Sequence, residues 1–251
     1  MKLTKLRHIA CVMMLLLVGV AVAHAQDNDM ILNRPYADVK PIHFGFSVGM
    51  NFQNLAITNN GMVSDDGRFE WYADVPAHSP GFSVNVLADY RIADHFNLRV
   101  SPGLYFGNKV IRYLNHRGSA DWSNQDHYKQ TQNVKSTYIV LPIDLKMSAK
   151  RYHNMRPYFT TGVMYAHDLA KDRSEQLKLK DADLMFTVGM GCDFYMPFFK
   201  LCPEIKFCFG LKNLLDRNRP DLVEENEVTK LFTQSVSKIS SNMVVVTFFF
   251  E

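Results

Sequence analysis

Histidine beside an acid or a hydroxyl is the pairing most able to do chemistry in this chain, and it occurs twice. His167 precedes Asp168, and His78 precedes Ser79. A serine nucleophile needs a histidine as base and an acid to orient it, so such a set could in principle assemble from these residues. The local context argues against it. No strained nucleophile elbow surrounds a serine, and no His/Glu set has metal-ligand spacing; His116 and His127 sit in a polar stretch without it. We expect no catalytic residue, no metal and no cofactor, and hence no enzyme. A different set carries charge without catalysis. Asp89, Arg99, Asp144, Lys146, Asp193, Glu204 and Lys206 each interrupt an otherwise apolar or small-residue segment.

The segments that hold these charges have a period of two. Phe44, Phe46, Val48, Met50 and Phe52 alternate with Gly45, Ser47, Gly49, Asn51 and Gln53. The same alternation puts Phe82, Val84 and Val86 opposite Ser83, Asn85 and Asp89, and Phe96, Leu98 and Leu104 opposite Asn97, Arg99 and Tyr105. It recurs around Ile139–Met147, Phe159–Tyr165, Leu184–Phe194 and Leu201–Leu211, and in the run of valines and phenylalanines from Met243 to Phe250. Period-two alternation marks strands with two unlike faces. In water a Phe-Phe-Val-Met-Phe face needs a covering layer, whereas in hydrocarbon it needs none. Each segment is close to the ~9–11 residues of a tilted membrane strand.

The connections alternate as well: long (55–79), short (92–95), long (110–135), short (150–155), medium (168–181), short (196–200) and long (212–239). Short periplasmic turns, long outer loops and an even strand number define an outer-membrane barrel. The expected fold is therefore all-β: an eight-stranded antiparallel transmembrane β-barrel, with both termini periplasmic. The last connection (221–238) is compatible with one amphipathic helix through Leu222, Val223, Val228, Leu231 and Phe232, or with a solvated loop.

Strand direction collects the seven charges in the periplasmic half of the lumen, with Arg91 at the rim as a fourth base. An eight-stranded barrel is just wide enough for side chains to fill it, and charges buried there must pair. The expectation is a salt-bridge plug that closes the lumen. Lumenal glycines (Gly45, Gly49, Gly103, Gly107, Gly162, Gly189, Gly191, Gly210) either leave a small cavity or make room for Tyr105, Tyr138 and Tyr158.

Residues 1–25 read as a secretory signal, with Lys2, Lys5 and Arg7, an apolar stretch from Ile9 to Val22, and Ala23-His24-Ala25 before the cut. About 14 apolar residues are too few for a bilayer helix, which needs ~20. Cleavage would take the formal charge from +3 to 0, which removes any basic footprint for nucleic acid. Residues 26–41 form a polar periplasmic lead-in, and 42–251 the barrel. Cys192, Cys202 and Cys208 remain, and strand parity with a ~20 Å separation of the last two forbids easy pairing. Three free thiols are expected.

The run CDFYMPFFKLCPEIKFCFGL, from Cys192 to Leu211, resembles a stretch of the PorT family, outer-membrane proteins of the Bacteroidetes type IX (Por) secretion system. The similarity continues at Arg34-Pro35-Tyr36, Lys40-Pro41, His43–Phe46, Ser79–Ser83, Leu141-Pro142, Asp144–Lys146, Arg156–Tyr158, Arg219–Asp221, Val246–Phe248 and Phe250-Glu251. The resemblance implies an accessory role in exporting cargo with a C-terminal signal, and it brings no catalytic residues. Expected partners are outer-membrane lipids and other secretion components, with no nucleic acid and no small-molecule substrate. Phe198 and Phe199, crowded into a tight turn, are a possible partner contact or part of the interfacial aromatic girdle. Competing readings are a passive structural barrel and, further off, an outer-membrane lipid or peptide hydrolase.

Overall fold

The computed structural model describes residues 33–60, 71–75, 79–115, 129–169, 180–215 and 236–251. They form ten strands: β1 (Ile42–Asn59), β2 (Trp71–Asp74), β3 (Ser79–Arg91), β4 (Phe96–Val100), β5 (Gly103–Asn115), β6 (Lys129–Ser148), β7 (Met155–Asp168), β8 (Ala182–Tyr195), β9 (Lys200–Gly210) and β10 (Val236–Phe250). Every ladder is antiparallel. Consecutive strands pair around the ring, and β1 closes it by pairing with both β3 and β10. Closure leaves no open edge among the barrel staves, the condition hydrocarbon imposes on a sheet.

Eight staves result, because β4 and β5 are one path. Ala88↔Val100 and Asn85↔Gly103 lie in a single register on β3, as Val100↔Ile143 and Gly103↔Val140 do on β6. What interrupts the path is Pro102, opposite Val86. The Val86 N–H still donates to the Pro102 carbonyl at 2.9 Å, but proline has no N–H to return. The next pair over has the same defect, since Ser101 donates to Pro142 at 3.3 Å and receives nothing back. Strand β2 continues the β3 path toward the loop end, between β5, with which it pairs, and β1, whose Asn59 side chain both accepts from the Ala73 N–H and donates to the Ala73 carbonyl at 3.0 Å.

Face assignment follows the sequence alternation in every stave. Phe44, Phe46, Val84, Ile139, Val163, Met190, Ile205 and Phe248 lie exposed on the outer wall, while Ser47, Asn85, Arg99, Asp144, Thr187 and Lys206 are buried within. Rings on the outer wall stack across strands, Phe82 on Phe106 (4.5 Å) and Phe46 on Phe250 (5.1 Å). No helix among the described residues is long and apolar enough to cross a membrane; the strands cross. Cys192, Cys202 and Cys208 are all unpaired.

Four boundaries differ from expectation. Strands overrun the expected loops: β1 reaches Asn59, β5 reaches Asn115, and β6 begins at Lys129. There the alternation lapses: Leu55, Ala56 and Ile57 run apolar together, as do Val110 and Ile111, while 129–135 are almost wholly polar, so the hairpins continue by backbone pairing with no period of two to announce them. Within the 221–238 connection, Val236–Lys238 already belong to β10 rather than to a helix, and 221–235 lie outside the described residues.

The 33–41 segment does not dangle. A 3-10 turn (Ala37–Val39) buries Ala37 against the end of the barrel that carries the short turns, hereafter the turn end.

Candidate functional site

Arg99, on β4, is fully buried and forms the hub of the interior. Its three nitrogens are each matched to a different carboxylate: Nε to Asp89 at 3.1 Å, Nη1 to Glu204 at 3.1 Å and Nη2 to Glu251 at 3.0 Å. The β3–β4 register sets Asp89 directly opposite Arg99, while Glu204 reaches it from β9 across the lumen. The guanidinium also lies over the rings of Phe249 (4.6 Å) and Tyr158 (5.3 Å), which adds cation–π attraction where water is scarce.

Two lysines complete the lattice. Lys146 donates to both Asp193 oxygens at 2.9 and 2.7 Å. Lys206 donates to Asp144 at 2.6 Å and lies 3.1 Å from Glu204. The Thr187 hydroxyl donates to the other Asp144 oxygen at 2.7 Å. All seven charged residues singled out in the sequence thus meet in one buried cluster.

Two members were not foreseen, and one expected member is elsewhere. Lys200 pairs with Glu251 and lies 3.8 Å from Asp193. Arg91 instead pairs with Asp94 in the exposed turn, because its position at the strand end lets the side chain reach outward to water. Parity held the missing signal: Lys200 and Glu251 fall in phase with the inward-facing Cys202 and Phe249.

Above this lattice, toward the loop end, the lumen is filled by Tyr105, Tyr138, Val140, Met164, Met185 and Met243. Farther on, Leu55, Leu214, Leu215, Val236 and Ile239 are buried at the loop-end mouth. Gly191 makes room for a ring, since a Cβ there would stand 2.5 Å from the Tyr158 phenol carbon. The glycines here serve packing.

At the turn end Asp38 ties the 33–41 segment down. It accepts from Arg156 (3.2 Å), from Arg151 (3.4 Å) and from the Tyr195 hydroxyl. Arg34 holds a left-handed φ of 47°, unfavourable for a side chain with a Cβ. It is fixed there by Arg151 donating to its carbonyl (3.2 Å) and by its own guanidinium donating to the Glu251 carbonyl (3.0 Å).

Among the described residues His167 and Asp168 do not build a triad. His167 Nδ1 has no hydrogen-bond partner, and the Asp168 carboxylate accepts from the Thr137 backbone. His78, His116 and His127 lie outside the described residues, and no metal-holding group of His, Cys, Asp or Glu occurs among the described ones. Phe198 is 93% exposed in the β8–β9 turn, while the Phe199 ring leans on Phe250 at 6.0 Å. The arrangement can neutralise charge, block a lumen and present a turn; each acid of the lattice is already engaged by a cation.

Residues 24–216 match the family model described as "Outer membrane protein beta-barrel domain". None of the curated proteins matches the chain. Among solved structures it is similar to Neisserial surface protein A at 11% identity, with 84% of this chain and 98% of that one covered and a TM-score of 0.41. OprG of Pseudomonas aeruginosa shows 14% identity over 83% and 92%, with a TM-score of 0.41. AlkL, solved by solid-state NMR in lipid bilayers, shows 9% identity over 90% and 97%, with a TM-score of 0.37.

Proposed function

The chain belongs to the family of outer membrane protein beta-barrel domains, and we propose that it is a closed, non-enzymatic barrel serving as an accessory component of type IX protein secretion. In this reading residues 1–25 are a signal peptide removed on export, 26–41 a periplasmic lead-in, and the turn end faces the periplasm with both termini. The secretion role is supported by the resemblance of the Cys192–Leu211 run to the PorT family. The observation that carries the mode of action is the Arg99 lattice: a lumen crossed by that many paired charges is a plug, and cargo has no path through it.

The protein then acts by contact. The surfaces available are the outer loops, the tethered 33–41 segment and the Phe198-Phe199 turn, which we propose as a docking contact for another secretion component. A deletion strain should lose surface delivery of cargo bearing the C-terminal signal, measured by shaving intact cells with protease. Phe198→Ala with Phe199→Ala should weaken delivery while the barrel still assembles. Unchanged export in the deletion strain removes the secretion role and leaves a passive structural barrel.

A further inference from the structure

We propose that a cavity at the turn end is a binding site for the phosphate of an anionic lipid headgroup. The cavity, about 160 Å³, lies between the 33–41 segment and the starts of β1 and β9. That is well below the ~300–1,000 Å³ of sites for drug-sized ligands, so it suits a headgroup fragment and not a cofactor.

Its charge is unbalanced. Arg34, Lys40, His43 and Lys200 line it against one carboxylate, Glu251. That carboxylate is already engaged: one oxygen takes Arg99, and the other takes Lys200, with His43 Nδ1 at 3.7 Å. Arg34 spends one N–H on the main-chain oxygen of Glu251, and the exposed Lys40 has no carboxylate partner among the described residues. At least one positive charge is left over. His43 Nε2 is also buried without a hydrogen-bond partner, a group able to donate to an anion when it carries the proton.

The remaining wall is apolar. Ile42 and Phe44 line the same cavity; both are exposed, and Phe44 continues the outer stripe of Phe46, Val48 and Met50. A ligand satisfying both walls carries an anion at one end and hydrocarbon at the other. A free phosphate satisfies only the first. The site draws on the barrel's place in the membrane and is independent of the secretion role, so either can fail alone.

The test uses the full barrel refolded in phosphate-free maltoside micelles and ³¹P-detected titration. The probes are dihexanoyl phosphatidylglycerol and inorganic phosphate. Wild type is compared with Arg34→Gln/Lys40→Gln and with Arg91→Gln, which removes a cation from the same end but outside the cavity. The lipid should bind saturably, about tenfold more weakly in the double variant, as loss of charge-assisted contacts predicts, and unchanged in Arg91→Gln. Inorganic phosphate should bind more weakly than the lipid; equal affinity assigns the site to free phosphate and overturns the lipid reading. Equal lipid binding by the double variant, or an equal loss in Arg91→Gln, overturns the site altogether. Heat-modifiable migration on gels checks folding, and Lys40→Gln alone, at an exposed position, serves if the double variant misfolds.

Discussion

Arg99 is buried with three carboxylates on its three nitrogens, so its removal strands Asp89, Glu204 and Glu251 in a medium that cannot solvate them. Breaking one buried pair costs about 3–5 kcal/mol. Arg99→Met should therefore lower the guanidinium midpoint of the lipid-refolded barrel by an amount in that range, and adding Glu204→Gln should restore part of it. A change under about 1 kcal/mol would mean the lattice is water-filled and loosely coupled. At this scale the sequence was informative because parity is binary: a residue in phase with Ser101 and Tyr105 has to point inward, and Arg99 is. Parity also marks Lys200 and Glu251, in phase with Cys202 and Phe249. It does not decide at the rim, where side-chain reach takes Arg91 to Asp94 in the solvent.

The staves themselves were legible wherever one face meets lipid and the other does not. They became illegible where the alternation lapses, as in the outer extensions of β1, β5 and β6, and at β2, which has only four residues. The break between β4 and β5 is a proline effect that leaves register intact, so the missing N–H is its whole cost. Pro102→Ala supplies that donor opposite Val86 and should stabilise the barrel by about 1 kcal/mol, read as a raised denaturant midpoint and slower amide exchange around Val86. If the midpoint falls instead, the proline ring is contributing packing that outweighs a hydrogen bond. The 33–41 segment read as merely polar, because nothing local shows that Asp38 will find Arg151, Arg156 and Tyr195 far along the chain. Asp38→Ala removes all three acceptor contacts. It should raise amide exchange and protease cleavage within 33–41, with the unfolding midpoint of the barrel moved by less than about 1 kcal/mol.

Among the described residues the lumen is filled in layers: ion pairs at the turn end, methionine and tyrosine in the middle, leucine and isoleucine at the loop-end mouth. Planar-bilayer recordings should show no large, stable open channel, and substitution of Arg99 should be among the changes able to produce one. A steady wild-type conductance would dismiss the plug. The eight-stave count followed from the period-two segments and the loop alternation, both properties of the entire sequence. The docking contact proposed at Phe198 and Phe199 is not of that kind, because it depends on a surface that only another protein completes.

The seam between β1 and β10 carries a further consequence. Phe46 meets Phe250 and Ala56 meets Ser240, so the first and last staves complete one another. Until they do, each leaves a row of bare peptide groups that oil rejects. Such a chain has no stable half-built form in a bilayer and cannot be laid down stave by stave as it emerges from synthesis. Crossing the bilayer and sealing that seam are therefore one coupled event.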